Sequence, residues 1–80
     1  MIKINIEYFA KLKDERKLKK EVFETESKTL LDLYKELQFK YHFSLDYTAL
    51  KVALNDEFSE WDNTIKDNDI VVFIPPVAGG

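Results

Sequence analysis

The sequence predicts an α+β fold in which one main helix packs across a mixed sheet. Residues 2–8 alternate between apolar and polar side chains, which is typical of a strand with one buried face. Apolar side chains recur at helical spacing over residues 30–41. Residues 70–74 are all apolar and mostly β-branched, which indicates a strand covered on both faces. A chain of 80 residues has room for one such domain, which we assign to residues 1–76.

The N-terminal part of the chain predicts two strands joined as a hairpin. In residues 2–8 the apolar side chains occupy every second position, so they share one face. A second strand is expected over residues 19–24, around Val22 and Phe23. The polar residues 11–17 are interpreted as a connection or an irregular turn of helix.

The main helix is predicted from five residues at positions i, i+3, i+4, i+7 and i+11, which share one helix face. They are Leu30, Leu33, Tyr34, Leu37 and Tyr41. Thr29 and Asp32 have the spacing of a capping box, and Ser27 is the alternative N-cap. His42 is the only histidine, and we interpret it as a surface or capping residue at the far end of the helix.

The C-terminal part of the chain returns to strand patterns. Residues 50–54 alternate like a strand, and turns are expected at residues 55–56 and 66–69. Phe58 and Trp61 are expected to lie in a short strand or extended segment that packs back onto the core.

The order of these elements is that of the β-grasp arrangement of ubiquitin-like proteins. Strand, strand, helix, strand, short strand and strand place the last strand in the middle of the sheet. Pro75 and Pro76 end this strand, because proline has no N–H to donate to a neighbouring strand.

Composition excludes several classes of function. A net charge of −3 and a pI of about 5.1 argue against nucleic acid as a partner. The chain has no cysteine and one histidine, so disulfides, thiolate sites and histidine metal clusters are excluded. No apolar run is long enough to cross a membrane and no signal peptide is visible, so we expect a cytoplasmic protein.

Two charged segments allow more than one interpretation. The segment 11–20, KLKDERKLKK, is either a solvated surface or a docking patch for an acidic partner. Asp67 and Asp69 resemble a catalytic carboxylate pair, but their sequence, KDND, is that of an ordinary turn.

The two glycines of the chain are its final two residues, and they indicate where chemistry takes place. Pro75 and Pro76 restrict the backbone, so the flexible tail, residues 77–80, is expected to leave the domain in a defined direction. Fully extended, these four residues reach about 13–14 Å. Gly79 and Gly80 carry no Cβ, so another protein's backbone can approach the terminal carboxyl group closely. Activation as an acyl-adenylate would let a sulfur nucleophile attack this carbon.

The ending DNDIVVFIPPVAGG strongly resembles that of the molybdopterin synthase small-subunit family, and the opening IKINIEYFAKLKD is similar to that family's first strand. The resemblance implies a β-grasp sulfur carrier whose terminal glycine is adenylated with ATP by a ubiquitin-activating-type adenylyltransferase. Sulfur transfer then gives a thiocarboxylate. The tail enters the large synthase subunit, within a heterotetramer, and donates sulfur to cyclic pyranopterin monophosphate to form the molybdopterin dithiolene.

The resemblance also implies roles for individual residues. Gly80 matches the carrier glycine and Gly79 its neighbour. The positions expected to contact partners are Phe9, Phe73, Ile74, Pro75, Pro76, Val77 and Ala78. Phe9 and Phe73 are expected to form an exposed apolar patch at the root of the tail. The chain itself is expected to bind no cofactor, because ATP is used by the activating partner.

Two other functions share the Gly-Gly ending. One is a sulfur carrier for thiamine synthesis or tRNA thiolation, with the same terminal chemistry and another acceptor. The other is a ubiquitin-like modifier that joins its terminal glycine to lysines of target proteins. A plain binding module with an incidental Gly-Gly ending is a further alternative.

Overall fold

Five strands and two α-helices follow one another along residues 1–76, which are the residues that the computed structural model describes. The strands are β1 (Ile2–Tyr8), β2 (Lys20–Thr25), β3 (Lys51–Leu54), β4 (Glu57–Ser59) and β5 (Ile70–Ile74). The helices are α1 (Ala10–Arg16) and α2 (Leu30–Tyr41), and a short 3-10 turn spans Tyr47–Ala49.

The five strands form one mixed sheet in the order β2-β1-β5-β3-β4. β5 pairs in parallel with β1 and antiparallel with β3, whereas the hairpins β1–β2 and β3–β4 are antiparallel. The last strand therefore joins the two hairpins, as the sequence predicts. This is the β-grasp, ubiquitin-like fold of the α+β class.

α2 packs across one face of the sheet through the predicted stripe. Its residues Leu30, Leu33, Tyr34 and Leu37 are completely buried, and Tyr41 is partly buried against the same core. The buried faces of the strands supply the rest of this core, so the sheet has an inner face under α2 and an outer face opposite it.

The ends of α2 confirm Thr29 as the N-cap and His42 as the C-cap. The Thr29 hydroxyl accepts a hydrogen bond from the backbone N–H of Asp32 at 3.2 Å, which satisfies one free donor of the first turn. Ser27, the alternative cap, instead donates to Glu36 at 2.9 Å. His42 ends the helix in the left-handed conformation, with φ of 59°.

Candidate functional site

The chain leaves the sheet beside an open recess of about 710 Å³ between β5 and α1. Most of its lining is apolar, and the residues around it are Phe9, Ala10, Lys11, Asp14, Leu45, Ile74, Pro75 and Pro76. We call this the tail-root recess, because residues 77–80 continue from Pro76. A recess of this shape and chemistry suits an apolar side chain of a partner protein.

The parallel pairing of β1 with β5 creates the recess. It places Tyr8 opposite Phe73, so β1 and β5 finish side by side at the same end of the sheet. α1 then begins at once, and the carbonyl of Phe9 accepts hydrogen bonds from the N–H groups of Leu12 and Lys13. Ala10 has a φ of 50°, a conformation that costs a residue with a Cβ on the order of 1–3 kcal/mol. This tight turn brings the start of α1 beside the end of β5.

An ion pair holds α1 in place beside the recess. Arg16 donates from Nε and Nη2 to the two carboxylate oxygens of Glu21 on β2, each at 2.9 Å. The Tyr8 hydroxyl donates to the same carboxylate at 2.6 Å. The Arg16 guanidinium also lies 4.0 Å from the centre of the Tyr41 ring. One carboxylate therefore joins β1, β2 and α1.

These contacts determine the ionisation of Glu21. Burial raises the pKa of its carboxyl group, but the hydrogen bonds from Arg16 and Tyr8 outweigh burial, so the pKa lies below its ordinary value of 4.5. A carboxyl group with a lowered pKa in the folded state stabilises the fold above its ordinary pKa. That stabilisation is lost as the pH falls from about 4.5 through the folded-state pKa.

Glu21→Gln is accordingly expected to lower the free energy of unfolding by about 1.5–3 kcal/mol near neutral pH. The deficit should shrink as the pH falls below 4.5, because the wild-type carboxylate is then protonated as well. Urea unfolding across acidic and neutral pH measures both effects. Glu24→Gln, at an exposed position of the same strand, is the matched control and should unfold like the wild type. A Glu21→Gln deficit that is the same at every pH would contradict this role of the carboxylate.

The position of Phe73 contradicts the prediction that it forms an exposed patch with Phe9. It is completely buried on the inner face, in contact with the rings of Tyr8, Tyr34 and Trp61 at centroid distances of 6.4, 5.2 and 6.1 Å. The expectation that Phe73 is an exposed partner contact is wrong, because the alternation of β5 directs it toward α2. Trp61, in contrast, packs partly buried against the core as expected.

The remaining predicted contact residues surround the recess to different degrees. Phe9 is exposed over 39% of its surface, which agrees with the prediction. Ile74 is partly buried, Pro75 is buried and Pro76 is exposed. The predictions for Val77, Ala78, Gly79 and Gly80 fall outside the residues that the structure describes.

β5 is fully buried on one face only, which corrects the expectation of burial on both. Val71 and Phe73 are completely buried, whereas Ile70 on the opposite face is 44% exposed. Phe58 was expected to pack onto the core, but it is 76% exposed. The register explains this position, because Phe58 pairs with Ala53, whose neighbour Val72 belongs to the outer face.

The outer face of the sheet therefore carries an apolar surface that the sequence did not reveal. Its members lie on four of the five strands, on the face opposite the core, and we call it the outer apolar face: Val22, Ala53, Phe58, Ile70, Val72 and Ile74. Ile74 also lines the tail-root recess, so the two surfaces are continuous. Apolar patches of this kind on small domains mark surfaces that bind other proteins.

A comparison of the sequence with models of protein families supports this interpretation of the fold and the tail. The model described as the ThiS family matches residues 6–80, which is most of the chain and includes the Gly-Gly ending. The chain belongs to the ThiS family. This confirms the predicted class, a ubiquitin-like sulfur carrier similar to the molybdopterin synthase small subunit.

Solved structures give the same fold for this ThiS-family chain. Molybdopterin converting factor subunit 1 from Pyrococcus furiosus is 26% identical, with a TM-score of 0.81 over 96% of this chain and 100% of that one. Small archaeal modifier protein 1 of Haloferax volcanii is 16% identical, with a TM-score of 0.79 over 96% and 100%. A complex of subunits 1 and 2 of molybdopterin-converting factor from Helicobacter pylori 26695 contains a chain that is 24% identical, with a TM-score of 0.69 over 99% and 100%.

The other candidate residues of this ThiS-family chain lie in ordinary structural positions. Within residues 1–76, no group of three or more His, Cys, Asp and Glu side chains is placed to hold a metal ion. Asp67 and Asp69 accept hydrogen bonds from the backbone N–H groups of Lys3 and Lys66, each at 2.7 Å, so they serve as turn residues. None of the helices described is long and apolar enough to span a membrane.

Proposed function

We propose that this chain is the sulfur-carrier subunit of a molybdopterin synthase. Gly80 is adenylated, converted to a thiocarboxylate, and donates its sulfur to cyclic pyranopterin monophosphate. One observation carries this proposal: a central strand runs directly into Pro75-Pro76 beside an apolar recess, and the Gly79-Gly80 segment within the family match follows. The similarity to the Pyrococcus furiosus subunit supports the choice of pathway.

The proposed chemistry needs only the terminal carboxyl group of the chain. A carboxylate oxygen of Gly80 attacks the α-phosphorus of ATP, and pyrophosphate leaves. Hydrosulfide, or sulfur supplied at the same oxidation level by the partner system, then attacks the acyl carbon, and AMP leaves with the bonding electrons to give the thiocarboxylate. The thiocarboxylate sulfur attacks a carbon of the pterin substrate and displaces an oxygen from that carbon, and water then cleaves the acyl–sulfur bond to restore the carboxylate. A second loaded chain repeats this exchange to complete the dithiolene. ATP is bound by the activating partner, and the lack of cysteine leaves the terminus as the position for sulfur.

The docking partners follow from the position of the tail. An enzyme that receives residues 77–80 must cover the end of β5, where the tail-root recess and the outer apolar face meet at Ile74. Two enzymes do so in turn: the adenylyltransferase and the large subunit of the synthase. The Helicobacter pylori structure, which holds subunits 1 and 2 together, supports the large subunit as a partner. We propose that the assembled synthase is a heterotetramer of two copies of this chain and two large subunits.

Two related functions use the same tail. The family match over residues 6–80 also suits a sulfur carrier for thiamine synthesis or tRNA thiolation. The fold shared with small archaeal modifier protein 1 suits a protein modifier. The acceptor distinguishes the three: a pterin, another small molecule or RNA, or the lysine side chains of proteins.

The decisive experiment follows the terminal carboxyl group and its sulfur. The untagged chain is incubated with ATP, a sulfur donor and the adenylyltransferase of its own source, and intact-mass spectrometry measures the exchange of one oxygen for sulfur. The loaded chain is then mixed with the large subunit and cyclic pyranopterin monophosphate. We expect molybdopterin dithiolene to form and the chain to return to its original mass. Loading without dithiolene formation, or isopeptide adducts on lysines, would contradict the proposed pathway.

Phe9→Ala is expected to weaken binding to the adenylyltransferase or the large subunit by about 1–2 kcal/mol. The reason is that Phe9 lines the tail-root recess and exposes 39% of its surface. Thermal stability should change by less than about 1 kcal/mol. Phe39→Ala, at a position on α2 that is 87% exposed, is the matched control and should leave both quantities unchanged. A severe loss of stability in Phe9→Ala would show that Phe9 is a core residue.

A further inference from the structure

The two ends of the sheet carry different charges. β1 and β5 run in parallel and end at Tyr8 and Ile74, and β2 begins at Lys20, which pairs with Glu7. The segment between β1 and β2 therefore lies at the same end of the strands as Pro75 and Pro76, where the tail leaves the sheet. We call this end of the sheet the tail-exit end. The opposite end, where β1 begins, is called the far end.

Basic side chains are concentrated at the tail-exit end. The segment 11–20 holds six of the 12 lysine and arginine residues of the chain and two of its 15 acidic residues. Lys51 lies at the same end, because it pairs with Ile74. Five lysines of the segment are exposed: Lys11, Lys13, Lys17, Lys19 and Lys20. Within residues 1–76 the one ion pair is Arg16–Glu21, so none of these five lysines forms an ion pair with a described carboxylate. Besides Glu21, the acidic side chains closest to these lysines in the sheet and in the sequence are Glu7, which lies opposite Lys20, and Asp14 and Glu15.

The far end is rich in acidic side chains. Glu24 lies opposite Lys3 near the start of β1, and Asp67 accepts a hydrogen bond from the N–H of Lys3. Asp69 is bonded to Asn55, in the turn between β3 and β4. The acidic residues of this end are Glu24, Glu26, Asp56, Glu57, Asp67 and Asp69. Lys3, Lys28 and Lys66 are the basic residues at or near this end, so acidic side chains outnumber basic ones here, whereas basic side chains outnumber acidic ones in the segment 11–20.

Exposed lysines contribute little to folding, and five of them in one segment repel one another. They are favourable where an oppositely charged surface lies against them. Lys11 borders the tail-root recess directly, together with Pro75 and Pro76, so a surface that receives the tail also meets this lysine. The overall acidity of the chain disfavours a polyphosphate partner, because nucleic acid would repel the far end and most of the remaining surface.

We propose that the tail-exit end is an electrostatic docking surface for an acidic protein surface around the tail channel of the adenylyltransferase. This inference rests on the proposed function and adds the chemistry of the partner's surface to it. The asymmetry of charge turns the carrier so that its tail faces the channel before contact. Such steering raises the rate of association and weakens as salt is added.

The test compares two triple variants that change the net charge equally. Lys11→Glu, Lys13→Glu and Lys19→Glu reverse charge at the tail-exit end, whereas Lys3→Glu, Lys28→Glu and Lys66→Glu reverse it at or near the far end. All six lysines are exposed, and a thermal melt of each variant confirms that it is folded. Association with the purified adenylyltransferase is measured by stopped flow at about 0.05 M and about 0.5 M salt.

We expect the tail-exit variant to associate about tenfold or more slowly than the wild type at low salt, and the far-end variant to associate at nearly the wild-type rate. At high salt the three rates should converge. Equal slowing of both variants would mean that only net charge matters, and it would overturn the inference. Binding of the wild type to bulk tRNA that is lost in the tail-exit variant would assign the surface to nucleic acid and overturn it as well. If the wild type does not associate with the adenylyltransferase, the proposed function fails and this inference falls with it.

Discussion

Deleting Gly80, or adding one alanine after it, is expected to abolish sulfur loading and dithiolene formation while leaving thermal stability unchanged. Either change moves or blocks the carboxyl group that we propose is adenylated. Neither touches the buried core, whose residues lie between Ile4 and Phe73. One alanine added before Met1, which is 81% exposed, is the control and should leave loading unaffected. The measurements are intact mass after incubation with the activating system, and dithiolene formation with the large subunit.

The substitution Gly79→Val tests whether the width of the tail matters when its length is unchanged. A β-branched side chain widens the tail and restricts φ, whereas the terminal carboxyl group keeps its place in the sequence. We therefore expect slower loading and slower transfer than in the wild type, with the same mass change at completion. Normal rates of loading and delivery by the chain that lacks Gly80 would refute the carrier mechanism.

Phe73→Ala is expected to lower the free energy of unfolding by about 3–5 kcal/mol. Phe73 is completely buried against three aromatic rings, so its loss leaves a cavity that these rings cannot fill. Small domains are stable by only about 5–15 kcal/mol in total, so the variant should be largely unfolded at moderate urea concentrations.

The control for this variant is the same substitution on the other face of the sheet. Phe58→Ala removes an equal side chain that is 76% exposed, and we expect a change within about 0.5 kcal/mol. Urea denaturation followed by tryptophan fluorescence measures both, because Trp61 stacks on Phe73 at 6.1 Å. Equal stabilities of the two variants would show that Phe73 does not pack as described.

The sequence predicted the elements whose patterns repeat over several positions. β1 and α2 are long enough for periods of two and 3.6 residues to be unmistakable, and both begin and end close to the predicted positions. α1 was predicted only as a connection or an irregular turn. It has seven residues and one buried side chain, Leu12, so no apolar repeat marks it.

Which face a side chain occupies was harder to predict than which element holds it. A run such as residues 70–74 has no polar positions to mark its outer face, so burial on both faces and an exposed binding face give the same pattern. Phe73 was placed at the surface by the family resemblance, which this run could not correct, and Phe58 was placed on the core because it is a large aromatic residue. Their positions depend on the pairing of β5 with β1 and of β3 with β4, which is a property of the folded sheet. The recess likewise needs two segments far apart in sequence, Phe9 and Pro75.

The position of β5 also has a consequence for biosynthesis. Within residues 1–76 it is the strand that joins the two hairpins of the sheet, and it leaves the ribosome after the other four strands described. Each hairpin alone is an unsupported pair of strands, so the sheet closes only after β5 has been translated. The outer apolar face and the tail-root recess both contain β5 residues, and they form in the same event. A nascent or misfolded chain therefore lacks both surfaces, and under the proposed function we expect sulfur to be loaded only onto carriers that have completed folding.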